Sequence, residues 1–126
     1  MTAHVVYSAI DGNAPATTSP TVIAETIRGH IGFDGLLMSD DVSMNALSGD
    51  FAERTRAIFA AGCDIVLHCN GDMAQMQAVA SASPTLSGKA AKRAEQAMSG
   101  AGEIDGTDEA SARAEFADLM AALPVA

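Results

Sequence analysis

Residues Gly35–Met44 read GLLMSDDVSM, and the reading of this stretch governs the reading of everything around it. Leu36–Met38 is a short apolar run of the kind that forms a buried strand, and it breaks off into Ser39, two acids, Asp40 and Asp41, and a polar turn. The pattern predicts a strand over Gly35–Asp40 with an acid where the strand ends. With a side-chain period of two, Leu36, Met38 and Asp40 share one face, and Leu37, Ser39 and Asp41 share the other. The two acids then point in opposite directions, and only one can serve a given pocket.

Outward from this stretch the chain alternates β-like and α-like segments. Upstream, Met1–Tyr7 (MTAHVVY) is apolar and β-branched enough for a strand, and Ser8–Ser19 is a loop rich in Gly, Pro, Asn and Thr. Ser19-Pro20 supplies a cap and a first-turn proline for a helix whose Ile23, Ile27 and Ile31 fall four apart on one face, ending at Gly32. Downstream, Asp50-x-x-Glu53 has the form of a capping box, Phe51, Ile58 and Phe59 make an apolar stripe, and Gly62 stops the helix. Cys63–Cys69 (CDIVLHC) predicts a third strand.

Beyond Asn70 the pattern predicts a helix over Asp72–Ser83, with Met73, Met76 and Val79 as core contacts and Pro84 as its breaker. A Lys- and Ala-rich helix over about Ser87–Met98, a Gly/acidic linker over Gly100–Asp108 and a last helix over about Asp108–Leu123 follow. Phe116, Leu119, Met120 and Leu123 lie on one side of that last helix. Strands alternating with helices imply parallel pairing, because each crossover helix returns the chain to the same sheet edge. The C-terminal ends of the three strands then face one rim, which brings His4, Asp40 and the His68/Asn70 region together as the candidate site.

Composition bounds the function classes. With 48% hydrophobic and 18% charged residues the 126-residue chain has apolar material for a core and the length of one domain. A net charge of −9 without a Lys/Arg cluster argues against nucleic acid or an anionic membrane as partner, since both repel such a surface. No apolar run approaches the ~20 residues of a membrane span. The N-terminus lacks the basic-then-apolar order of a secretory signal, so the cytoplasm is the expected compartment. Cys63 and Cys69 on one extended segment would sit about 20 Å apart at ~3.3 Å per residue, far beyond the ~7 Å limit for a disulfide, and are expected as free thiols. A metal site using His68 and Cys69 is the sharper alternative. Adjacent strand residues face opposite sides and no second ligand pair follows, so the reading is buried core thiols and no metal.

GLLMSDDVSM, with SPTVIAETIRGHIGF before it and AERTRAIFAAGCDIVLHCN after it, resembles the C-terminal third of the bacterial β-N-acetylhexosaminidases of glycoside hydrolase family 3. The resemblance is close over about residues 1–70, within which Val42 stands in place of the family's usual Leu, and looser beyond. It implies an α/β fold, the C-terminal portion of a (β/α)8 barrel with about strands six to eight and their helices, over residues 1–99. Residues 100–126 are then a linker and a C-terminal helix. It also implies that Asp40 is the catalytic nucleophile of retaining hydrolysis of terminal β-linked N-acetylglucosamine, as on cell-wall fragments during peptidoglycan recycling. No metal or organic cofactor is implied. His4, Met44 and Asn70 are the expected lining of the sugar pocket, and Asp41 a neighbouring turn former.

A whole barrel of this kind needs about 250 residues, so roughly half is expected to be missing. With it go the Lys-His segment that grips the sugar and the loop whose His acts as acid/base. Two rival readings stay open. The chain is an inactive truncated fragment, from an internal start at Met1, that must assemble with a partner supplying the missing strands. Alternatively it is a small non-catalytic α/β binding module. The cut sheet also predicts self-association through exposed strand edges.

Overall fold

The computed structural model describes residues 1–100 and 106–122. Two short strands, β1 (Met38–Asp41) and β2 (Ile65–Leu67), pair in parallel. Helix α1 (Phe51–Ala61) makes the crossover between them, as parallel pairing requires. The capping box forms as its sequence dictates: Asp50 accepts from the Glu53 N–H at 2.8 Å, and the Glu53 carboxylate accepts from the Asp50 N–H at 2.9 Å. Gly62 closes the helix with φ of 110°, a left-handed conformation that suits glycine. A Cβ there would also stand 3.1 Å from Ile23 Cγ2.

Ile23, Leu37, Val42, Leu47, Ile58, Ala61, Cys63 and Val79 form the core. It sits between the sheet and the helices Val22–His30, α1 and α2 (Met73–Ala82). The Val22–His30 helix is wide, with i→i+5 bonding that ends in the Ile31 N–H donating to Thr26 O at 2.8 Å. Ser19 caps it, its hydroxyl accepting from the Val22 N–H at 3.1 Å. Further on, α3 (Gly88–Ser99) and α4 (Glu109–Ala121) contain no buried residue.

A buried carboxylate joins these parts. Asp64, at the entry to β2, accepts through one oxygen from the Leu37 N–H and the Arg28 guanidinium, each at 2.8 Å, and through the other from Arg93 at 3.0 Å. Arg28 also donates to Phe33 O and Gly35 O at 2.8 Å, which fixes the turn into β1. Arg93, on α3, donates to Asp34 O at 2.9 Å and pairs with the Asp34 carboxylate.

Several expectations are corrected here. Among the described residues the sheet has two strands, not three. Met1–Tyr7 is not a strand, because its backbone groups go to unrelated partners: Thr2 N–H to Met38 O, Val5 O to the Ala16 N–H, and Tyr7 O to Ile10 and Asp11. The Cys63–Cys69 strand contracts to Ile65–Leu67. Both thiols are free, but only Cys63 is buried. Cys69 lies past the strand end and is exposed. Burial pushes the Cys63 thiol up to about 11.

Ile31 is 65% exposed, since it follows the last turn of its helix. Met73 and Met76 are exposed as well, and Val79 alone of that stripe reaches the core. Phe116, Leu119 and Met120 lie exposed on α4. Residues 101–105 of the expected linker, and Leu123, fall outside the described residues.

Removing the hub carboxylate leaves two guanidinium groups and a buried N–H without their acceptor. Breaking a buried ion pair from one side costs about 3–5 kcal/mol. Asp64→Ala is therefore expected to lower the unfolding free energy by about that amount, read as a shift of the denaturant midpoint followed by circular dichroism.

Candidate functional site

The end of β1 gathers the polar groups. On the strand, Leu37 and Ser39 are buried, while Leu36, Met38 and Asp40 are half-buried on the opposite face. This is the alternation that a strand of these residues imposes. Asp40 therefore stands on the less covered side. One of its carboxylate oxygens accepts from the Asp41 N–H at 2.8 Å. No described residue bonds the other.

Asp41 is spent on structure. Its Oδ1 accepts from the Ser43 N–H at 3.0 Å and from the Cys69 N–H at 3.2 Å, and its Oδ2 accepts from the Ser43 hydroxyl at 2.5 Å. It thus ties the turn after β1 to the segment after β2. Partial burial pushes its pKa up, but the Ser43 and Cys69 hydrogen bonds and the nearby His68 outweigh this, so the carboxyl titrates below its ordinary value.

His4 is half-buried, and both its ring nitrogens are occupied. Nε2 lies 2.9 Å from Asp41 O, and Nδ1 lies 2.9 Å from Thr17 Oγ1. A carbonyl only accepts, so in the neutral ring Nε2 carries the proton and Nδ1 accepts from the Thr17 hydroxyl. Thr17 Oγ1 in turn meets Thr2 Oγ1 at 2.9 Å in the buried interior. His4 thus braces the end of β1 from the side opposite β2.

Met44 is exposed in the loop after β1. Asn70 is exposed after β2, where its amide donates to Gln75 at 2.8 Å and its carbonyl accepts from the Asp72 N–H. His68 bonds the same Gln75 and packs edge-on against Phe51, 5.9 Å between centroids. A cavity of about 460 Å³ between α1, Cys63–Val66 and the loop 83–87 includes none of Asp40, His4, Met44 or Asn70. Among the described residues, no three His, Cys, Asp or Glu side chains group as a metal ligand set. Among the described residues, no helix is long and apolar enough to cross a membrane.

Ser39 and Thr17 are polar groups at this end to which the sequence reading gave no role. Ser39 had a signal, a lone hydroxyl on the face that otherwise carries Leu37. Thr17 had none, because nothing local links it to His4.

Residues 1–99 match the family model described as Glycosyl hydrolase family 3 N terminal domain. A Beta-hexosaminidase of Alkalilimnicola ehrlichii is 50% identical over 72 residues, which are 56% of this chain and 20% of that protein. The Beta-hexosaminidase of Chromobacterium violaceum is 36% identical over 125 residues, 98% of this chain and 34% of that protein. The crystal structure of Beta-N-acetylhexosaminidase from Beutenbergia cavernae superposes with a TM-score of 0.56 at 32% identity, covering 77% of this chain and 31% of that one. The chain thus spans between about a fifth and a third of the length of these relatives.

The lowered Asp41 pKa has a definite sign in stability. A depressed carboxyl stabilises the fold fully above its unfolded value, here 3.8, and that contribution fades as the pH falls through the lower folded value. Melting temperatures of the native chain and Asp41→Asn are expected to differ most above pH 5 and to converge as the pH drops below about 4. A constant gap across that range would contradict the assignment.

Proposed function

The chain belongs to glycosyl hydrolase family 3, and from that premise we propose that it carries the nucleophile-bearing part of a retaining β-N-acetylhexosaminidase. Asp40 attacks the anomeric carbon of a terminal β-linked N-acetylglucosamine while an acid protonates the departing oxygen. The covalent glycosyl-enzyme is then opened by water with net retention. The observation that carries this reading is the Asp40 carboxylate at a strand end. It is held through one oxygen by the Asp41 N–H at 2.8 Å, with the other oxygen available to a substrate.

In this reading β1 and β2 are the seventh and eighth strands of a (β/α)8 barrel, and Met1–Tyr7 occupies the place of the sixth. The acid/base His belongs to a segment of the full-length relatives outside these 126 residues. Met44 and Asn70 line the sugar pocket, with His4 behind the strand end. The substrates are cell-wall fragments in the cytoplasm. Trapping the complete enzyme with a fluorinated N-acetylglucosamine donor, followed by peptide mass spectrometry, is expected to place the adduct on Asp40. Label on Asp41 would sink the assignment.

A positioned general acid/base contributes about 10²–10⁴ in rate, and the isolated chain supplies only the nucleophile. The purified 126-residue chain is expected to show no turnover of a nitrophenyl N-acetylglucosaminide. Turnover abolished by Asp40→Asn would overturn that expectation.

The assembling-fragment reading is favoured by the open face. Leu36 and Met38 are only half-buried, and Val5, Val6 and Tyr7 are exposed nearby in the chain. Parallel sheets are ordinarily covered on both faces, and each such side chain gains roughly 1.5–3 kcal/mol on burial. The isolated chain is expected to self-associate through this face. Sedimentation velocity showing a single monomeric species at all concentrations would count against it.

A further inference from the structure

The β1–β2 ladder is irregular at one place, and that place is the candidate acid. Met38 pairs with Ile65 and Asp41 with Leu67, so three steps along β1 match two along β2. Parallel hydrogen bonds normally recur every two residues. Continued from the Ile65 N–H to Leu37 O bond of 3.2 Å, an unbroken ladder would send the Leu67 N–H to Ser39 O and the Asp41 N–H to Leu67 O. The structure does neither. The Leu67 N–H donates to Ser39 Oγ at 3.0 Å, and the Ser39 hydroxyl donates onward to Asp40 O at 2.7 Å. Val42 takes the place of Asp41 on Leu67 O, at 2.9 Å. The Asp41 N–H, released from the ladder, donates to Asp40 Oδ1 at 2.8 Å.

We propose that Ser39 is a positioning residue for Asp40: its hydroxyl, spliced into the ladder, holds open the one-residue bulge that hands the Asp41 N–H to the Asp40 carboxylate. The proposal rests on Asp40 acting as the nucleophile. Bulges re-aim side chains beside active sites and are uncommon in parallel pairs, so this one needs a device to hold it. Ser39 is fully buried. Without its oxygen the bulged backbone would leave the Leu67 N–H and Asp40 O unpaired in the interior, which is costly. Closing the bulge re-pairs the Leu67 N–H with the strand and draws the Asp41 N–H away to Leu67 O. A shift of one residue also turns a strand side chain toward the other face. The Cys69 N–H on Asp41 Oδ1, from the β2 side, and His4 Nε2 on Asp41 O, from the opposite side, hold the extra residue in place.

The test uses the complete hexosaminidase that contains this segment, with Ser39→Ala and Ser39→Cys. The thiol keeps the shape of the side chain but bonds weakly, so it serves if the alanine variant does not fold. For the folded variant, kcat is expected to fall 10- to 100-fold with KM within threefold, in line with the cost of misplacing a reacting group by about 1 Å. Its crystal structure is expected to pair Asp40 with Leu67, with the Asp41 N–H on Leu67 O. A kcat within threefold of wild type, or an intact bulge with the Asp41 N–H still on Asp40, overturns the proposal. Asp40→Asn is assayed alongside. Turnover that survives it removes the nucleophile reading itself, whereas turnover lost in Asp40→Asn but kept in the Ser39 variants defeats the positioning role alone.

Discussion

The carboxylate of Asp64 is the constraint on which the other contacts depend. A charge taken out of water is tolerated only when its acceptor sites are filled, and here they are filled by the Leu37 N–H, Arg28 and Arg93. Each donor belongs to a different part of the chain: the start of the central strand, the helix before it, and a helix some thirty positions after Asp64 in sequence. One side chain therefore sets the register of β1 against β2 and anchors the outer helices. Because Arg28 also ties down Phe33 O and Gly35 O, the turn that delivers the chain to Leu36 is fixed by the same hub.

From that fixed start, three apolar residues lead to the polar end of β1, where two adjacent acids have different surroundings. Asp41 is surrounded by donors from Ser43 and Cys69 and acts as a staple between the two strand ends. Asp40 has a single backbone donor and a free oxygen. A carboxylate with both oxygens engaged is a poor nucleophile, whereas one oriented by a single N–H keeps an oxygen for substrate. The division of labour follows from the strand's alternation combined with the bulge at Ser39, and neither alone would produce it.

The face that carries Asp40 also carries the half-buried Leu36 and Met38, and the sheet has two strands among the described residues. The relatives are about three times as long as this chain by the shares it covers. In a parallel barrel the interior side chains are packed in layers contributed by alternate strands. In the proposed reading a two-stranded segment presents one wall of such a core. The half-burial of Asp40 is then shared by its apolar neighbours Leu36 and Met38.

Much was legible in the chain because the responsible interactions are local. The Asp50/Glu53 capping box, the Gly62 stop, the Ser19 cap and a strand at Asp40, observed over Met38–Asp41 where Gly35–Asp40 is expected, each involve residues within a few positions of one another, so the pattern of residue types suffices. The family resemblance around SDDVSM rests on the same contiguous text. Tertiary structure decided the remainder. Met1–Tyr7 looks like a strand by composition, yet its backbone donors and acceptors find Met38, Ala16 and its own loop instead of one neighbour. The two nitrogens of His4 are held by Thr17 and Asp41 O, partners far apart in sequence that no local pattern announces. The helical stripe of Met73 and Met76 promises burial, but whether an apolar face is covered depends on which element lies across it, and periodicity carries no information about that. The bulge is the sharpest case. It arises from a Ser39 hydroxyl meeting the Leu67 N–H across 28 positions, a coincidence of two strands that no reading of either strand alone contains.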